Sequence, residues 1–399
     1  MKPTILLTAP VLTVSGYGSH SRDILKALWK SDKFNISLSP TTWGHTSMYD
    51  KYSPEMEEII KLAFRNKIAS TPGLIHIQVG VPHEFQFYGE YNIGITAGLE
   101  STLIPPSWVE PCNRLTCLFV PSNFQKDLFL RAGVSTAIQV MPESVDTSVF
   151  NTQPDTEFII PEDIEEKYLF LATGQWLLNP LGEDRKQIAK LLNFFFTRFS
   201  GREDVALILK TSSLNNSSVD REMTKERIVD LLPSGIKRPK VHFVHGNFTD
   251  KEMASIYKTK NLKGYITFTS GESWGRGLFE AAACGVPVIA PGWSGYMDYL
   301  TQKHSTILDF TLQDVPVSTY HPYFFGPGHR WAVVNEDDAF RKLEDFMVNY
   351  EDKKARALEF ASIIKDKLSF PTPEKPLIDL LVALTTKRDN ESPLKLIKL

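Results

Sequence analysis

The chain has 399 residues, of which 42% are apolar and 23% charged, with a formal net charge of −3. That apolar content suffices for two globular domains with real cores and excludes a disordered or collagen-like chain. The near-neutral balance gives no general attraction to nucleic acid or to an anionic membrane surface.

The first residues, MKPTILLTAPVLTVSGYGSHSRD, turn polar too soon for a signal peptide, and their apolar run reads as a first strand. No window reaches the roughly eighteen apolar residues of a membrane span. No long basic amphipathic helix marks more than peripheral membrane contact. A soluble, cytoplasmic protein is the expectation. Short apolar runs continue with LIHIQVG, YNIGIT, CLFVPS and AIQVMP, then YLFLATG, VALILKT, VHFVHG, GYITFT and VPVIAP. Helical stretches lie between them, for example at residues 21–30, 123–132, 186–199 and 250–259. This alternation predicts an α/β protein with parallel sheets covered on both faces.

A seam interrupts the pattern at residues 144–167, SVDTSVFNTQPDTEFIIPEDIEEK, which are polar, acidic and without periodicity. With five strands before it and five after, the seam predicts two doubly wound domains, 1–160 and 161–370, with ligands bound in a cleft beyond the strands' carboxyl ends. Residues 371–399 would add one short apolar helix and a frayed tail, which could pack back on the N-terminal domain. Three cysteines, Cys112, Cys117 and Cys284, are too few for a disulfide framework and fit a reducing compartment. Cys112 and Cys117 have no second pair with which to complete a zinc site. His76 and His83 are isolated, and an isolated strand histidine is more often a satisfied core residue than a catalyst.

The stretch TSGESWGRGLFEAAACGVPVIAPGWSG carries the chemistry. A buried strand runs into a glycine-punctuated loop holding Glu272, and a helix from about Gly275 to Gly285 holds Glu280. That helix is apolar almost all round, so a carboxylate on it is costly unless it is hydrogen-bonded. A sugar or ribose diol would supply two donors, and the free amides at the helix start suit a diphosphate. A narrow polar face turned to solvent is the alternative for Glu280.

These residues resemble the E-x(7)-E signature of glycosyltransferase family 4. FTDKEMASIYKTKNLKGYITFTSG, CLFVPSNFQKDLFLRAGVSTAIQVMPESVD and SGYGSHSRDILKAL are similar to further family segments, and the likeness spans residues 4–365 with gaps. The resemblance implies the GT-B architecture: two Rossmann-like, doubly wound domains facing a central cleft. It implies that Glu280 binds the ribose of a nucleotide diphosphate sugar and that Glu272 lies by the donor sugar. Amides of Trp274, Gly275, Arg276 and Gly277 would contact the sugar or phosphates. In the family a diphosphate clamp of Arg and Lys follows the strand that opens the second domain. Here Gln175 stands where the Arg is expected and Lys186 matches the Lys, with Arg185 and Lys210 able to supply the missing charge. The loop of Gly16, Tyr17 and Gly18 would border the reaction site from the acceptor side. Where family members often place a histidine, Glu100 stands as the candidate. No D-x-D triplet occurs in the chain, which agrees with a metal-free site; no cofactor is expected.

The resulting expectation is a retaining, metal-independent transferase. It moves a sugar from a nucleotide diphosphate sugar to an acceptor hydroxyl, with a saccharide of a cell-surface polymer as the leading acceptor. The aromatic first-domain loops TTWGHTSMYDKYSP and GVPHEFQFYGE are candidate acceptor elements. Three other readings are weaker. A nicotinamide enzyme lacks the third glycine and the acidic partner. A non-catalytic GT-B relative draws support from Gln175. An epimerase would leave its product on the nucleotide.

Overall fold

Strands whose side chains are buried on both faces need covering helices on each side, and this sequence supplies them in alternation. The computed structural model describes residues 2–44, 46–66, 73–154, 160, 164–177, 183–235 and 237–386. They divide into two units. One lies within Met1–Leu99, Leu103–Ser144 and Leu368–Leu399; the other within Glu100–Thr102 and Val145–Lys367.

The first unit contains β1 (Thr4–Ala9), α1 (Gly16–Lys30), β2 (Asn35–Pro40), α2 (Pro54–Arg65), β3 (Ile75–Val79), β4 (Tyr91–Ile95), α3 (Val109–Asn113), β5 (Cys117–Val120), α4 (Asn123–Arg131) and β6 (Ile138–Val140). Its parallel sheet runs β2-β1-β3-β4-β5-β6. All residues of β3 and β5 are buried. Ser15 caps α1 by accepting from the Gly18 amide at 2.9 Å, so the helix begins at Gly16, before the expected Ser21. His76 is buried in β3 beside Thr8, 2.9 Å from its hydroxyl. Burial lowers its pKa to about 4. His83 lies beside Trp108, ring centroids 6.2 Å apart.

The second unit contains β7 (Tyr168–Gln175), α5 (Ile188–Arg198), β8 (Val205–Ser212), α6 (Ser218–Asp230), β9 (Lys240–Val244), α7 (Asp250–Tyr257), β10 (Leu262–Ile266), α8 (Arg276–Ala283), β11 (Val288–Pro291), β12 (Thr306–Leu308), β13 (Phe310–Asp314), β14 (Arg330–Val334), α9 (Glu336–Val348) and α10 (Tyr350–Lys367). Its parallel sheet runs β12-β11-β10-β7-β8-β9, and β13 and β14 form a separate antiparallel hairpin. Phe194, Phe195 and Phe199 of the α5 region, Phe170 of β7 and Trp176 anchor the core.

Ten strands were expected; among the described residues the two parallel sheets hold twelve, and the hairpin of β13 and β14 is a further addition. The two additions to the parallel sheets, β2 and β12, are edge strands. β2 mixes apolar residues with serine and β12 has three residues, so neither makes the long apolar run that marks a central strand. Cys112, Cys117 and Cys284 are buried free thiols, pushed by burial to about 12. The unit boundary at Ser144 and Val145 falls within the polar seam, of which residues 155–159 and 161–163 lie outside the described residues. Among the described residues, no helix is long and apolar enough to cross a membrane.

The last helix, α11 (Lys375–Thr386), belongs to the first unit and buries Leu377, Leu380, Leu381 and Leu384 in its core. Buried Glu374 just before it accepts from the Ser144 hydroxyl. The expected frayed tail lies outside the described residues. Leu381 is 0% exposed, so Leu381→Ala is expected to lower the unfolding free energy by about 2–5 kcal/mol. Urea unfolding should show a lower midpoint at unchanged slope. An unchanged midpoint would detach α11 from this core.

Candidate functional site

The loop after β10 is buried and stitched to three other segments. The Ser270 amide donates to the Arg185 carbonyl (2.7 Å), and the Ala332 amide donates to the Ser270 carbonyl (3.1 Å). The Glu272 amide donates to the Ser294 hydroxyl (2.9 Å), and the Gly295 amide returns a bond to the Glu272 carbonyl (2.9 Å). Ser294 has φ +88°, a region a non-glycine residue adopts only when its surroundings hold it there. Gly271 has φ +157°, and a Cβ there would meet the Trp293 ring at 2.7 Å.

On this frame sits a charge cluster. The Lys186 ammonium donates to Glu272 Oε1 at 2.5 Å, and Thr269 Oγ1 donates to the same oxygen at 2.9 Å. The Arg185 guanidinium lies 3.3 Å from Glu272 Oε2 and 3.4 Å from Glu100 Oε1, and it donates to the Gly271 carbonyl at 2.5 Å. Burial alone would raise the Glu272 pKa. The charges of Lys186 and Arg185 outweigh it and bring the carboxyl down to about 2. Glu100 moves the other way: burial raises it, and neighbouring Glu272 opposes the pull of Arg185. So Glu272 is a fixed anion at neutral pH, able to accept hydroxyls and hold cations and unable to donate a proton.

Next to the loop, α8 begins after Gly275, whose φ of +84° suits glycine. A Cβ on Gly277 would meet Thr173 Oγ1 at 2.7 Å and Tyr265 Oη at 2.8 Å. The helix start is thus packed tightly against β7 and β10. Glu280 is not on an open polar face: its side chain is 14% exposed. It accepts from Tyr257 Oη at 3.1 Å and lies 3.5 Å from Arg276 Nε. Lys210, in β8, has its pKa lowered by burial against an opposing pull from Glu280.

The structure brings Glu272, Arg185, Lys186 and Glu100 together, with Glu100 counted in the second unit. Other candidates point elsewhere. Gln175 donates to the carbonyls of Ser213 (3.5 Å) and Leu214 (3.3 Å). The Trp274 ring is buried against Phe279 and Tyr299, and its carbonyl accepts from Tyr299 Oη at 2.8 Å. Gly16, Tyr17 and Gly18 belong to the first unit. There Tyr17 stacks on Trp43 at 3.8 Å and its hydroxyl accepts from the Ala97 amide at 2.9 Å. Gly18 packs on Thr13, while a Cβ on Gly16 would meet nothing within 4 Å. Sequence reasoning missed Thr269, Ser294 and Tyr257. Thr269 was findable, three residues before Glu272; the other two reach the glutamates from distant segments. Among the described residues, no group of three or more His, Cys, Asp or Glu side chains is placed to hold a metal ion.

No family model matches the sequence, and no curated protein matches it. Solved structures do. The chain is similar to sucrose-phosphate synthase from Thermosynechococcus elongatus, with a TM-score of 0.64 and 14% identity over 96% of this chain and 100% of that one. It is similar to HepE from Anabaena, crystallised with UDP and glucose, at 0.62 and 14% over 95% and 99%. A glycosyltransferase from Rickettsia africae matches at 0.59 and 13% over 97% and 100%. These likenesses establish the fold as the GT-B fold of glycosyltransferases.

The charge cluster predicts a pH signature. The folded pKa of Glu272 lies below its ordinary value of 4.5. Its ionised form therefore contributes stability that is present above 4.5 and lost as pH falls through the window toward about 2. Glu272→Gln takes the carboxylate from Lys186 and leaves Arg185 with Glu100 alone, and it is expected to cost about 3 kcal/mol near pH 7. The difference from wild type should shrink near pH 3. Equal differences at both pH values in chemical unfolding would overturn this assignment.

Proposed function

We propose that this chain is a retaining, metal-independent glycosyltransferase that moves a sugar from a nucleotide diphosphate sugar to an acceptor hydroxyl on a saccharide. The observation that carries the reading is the convergence of Arg185 and Lys186 on Glu272, beside the start of α8 and within the same unit as Glu280. A diphosphate leaving group needs cations held where its charge develops. Arg185 and Lys186 are already held in place by carboxylates, so little reorganisation is needed. The amides of Trp274, Gly275, Arg276 and Gly277 add hydrogen-bond donors at the positive end of α8. Lys210 adds charge near Glu280, and Gln175 lines the neighbouring loop.

In this reading Glu280 accepts the ribose hydroxyls and Glu272 accepts hydroxyls of the donor sugar. The bond from the anomeric carbon to the diphosphate breaks, and the acceptor oxygen bonds to that carbon from the same face. The acceptor's proton passes to the departing phosphate. The loop of Gly16, Tyr17 and Gly18 is assigned to the acceptor side, and a cytoplasmic role in polysaccharide biosynthesis is the accompanying expectation. HepE was crystallised with UDP-glucose, which makes uridine nucleotides the first to test.

Thermal shift against a panel of nucleotide diphosphates and their sugars should show stabilisation by one base, lost in Glu280→Ala. Lys186→Ala should then lower turnover in a transfer assay by about 100-fold or more. If no nucleotide shifts the wild type, the donor-site assignment fails and a non-catalytic GT-B relative becomes the better reading.

A further inference from the structure

The hairpin of β13 and β14 carries a connection, residues 315–329, that the donor site does not use. Its sequence, VPVSTYHPYFFGPGH, holds no Asp, Glu, Lys or Arg, and it contains four Tyr or Phe residues and three prolines. The connection is internally tied. The His321 amide donates to the Phe325 carbonyl (2.9 Å), the Phe324 amide to the His321 carbonyl (3.1 Å), and the Tyr320 amide to the Val317 carbonyl (3.1 Å). Phe325 packs on Trp331, ring centroids 5.7 Å apart. At the surface this leaves Val317 75%, Tyr320 38% and Tyr323 47% exposed.

The connection is also fastened to the charge cluster's own segments. Ser318 donates to Glu183, two residues before Arg185. His329 Nδ1 lies 2.8 Å from Ser101 Oγ, the neighbour of Glu100. The Thr102 amide donates to the Arg330 carbonyl at 3.0 Å. The exposed rings thus stand on a preformed platform continuous with Arg185 and Glu100.

We infer that this connection is a binding platform for a neutral saccharide, with Tyr320 and Tyr323 stacking on the apolar faces of sugar rings. Resting on the transferase reading, it is the acceptor subsite of that reaction. Aromatic faces suit the C–H faces of a pyranose, and Tyr, Ser, Thr and His side chains suit its hydroxyls. The absence of charge across fifteen residues disfavours an anionic polymer, which would call for Lys or Arg. The large apolar side chains exposed on the connection are Val317, Tyr320 and Tyr323, two of them aromatic rings of the kind that stacks on a sugar. A platform that is rigid before binding loses little entropy on binding.

The test titrates the full chain with cellohexaose, maltohexaose and chitohexaose by calorimetry, and with UDP in parallel. One oligosaccharide should bind. Tyr320→Ala combined with Tyr323→Ala should weaken it about fivefold or more. The matching pair of Tyr→Phe changes should retain binding, and UDP binding should be unaltered in all variants. If UDP binds and no oligosaccharide does, or the alanine pair binds sugar as wild type does, the inference is overturned and the transferase reading stands. If the alanine pair instead abolishes self-association in light scattering, the rings serve a second copy and the inference also fails. Oligosaccharide binding through the tyrosines without any nucleotide binding would retain the platform and remove the transferase reading.

Discussion

Glu272 is 7% exposed, and a carboxylate so buried cannot stay ionised without compensating charge. Lys186 and Arg185 supply that charge, and the need for it organises the surrounding chain. Arg185 and Lys186 come from the segment before α5, Thr269 from the loop after β10, Ser294 from the loop after β11, and Glu100 from a three-residue excursion of the N-terminal part of the chain. Each touches Glu272, its backbone, or the arginine that neutralises it. One buried anion thereby fixes the relative positions of four loops beyond the carboxyl ends of the strands. The arrangement leaves two cations with a carboxylate between them.

The same constraint explains the glycines around it. The Trp293 ring lies against the backbone at Gly271, and the start of α8 is pressed onto Thr173 and Tyr265 at Gly277. A side chain at Gly277 would push the helix start away from the sheet. With glycine there, α8 sits low enough for Glu280 to reach the Tyr257 hydroxyl. The two glutamates of the signature therefore differ in role by environment. Glu272 is locked between cations, whereas Glu280 is held by a neutral phenol and a guanidinium 3.5 Å away.

Much of this was legible in the sequence because it is local. The central strands are continuous apolar runs, and Glu272, Glu280 and the glycines between them lie within nine residues. What was not legible depends on distant pairing. The edge strands β2 and β12 gain their identity from a neighbour rather than from their own composition. The hairpin of β13 and β14 pairs Phe310 with Val334 across a long connection, and no short-range turn signal announces it. Ser294 and Tyr257 meet the two glutamates from segments 22 and 23 residues away, a relation no spacing rule encodes. Glu100 was singled out as a histidine substitute, but its contact with Arg185 becomes visible only when residues 85 positions apart are placed together.

Gln175 illustrates how a departure from a family pattern can be locally reasonable. Its amide donates to the Ser213 and Leu214 carbonyls, just where Arg227 already donates to Ser213 Oγ and to the carbonyl of Trp176. Arg227 also lies over the Trp176 ring, 3.9 Å from its centroid, and burial lowers its pKa. A second guanidinium at position 175 would add like charge beside a cation that is already partly desolvated. A glutamine satisfies the same carbonyls without that repulsion. Arg185 and Lys186, by contrast, have Glu100 and Glu272 to stabilise them. Cations thus stand on both sides of the strand ends, Arg185 and Lys186 held by carboxylates and Arg227 by carbonyls, a hydroxyl and the Trp176 ring.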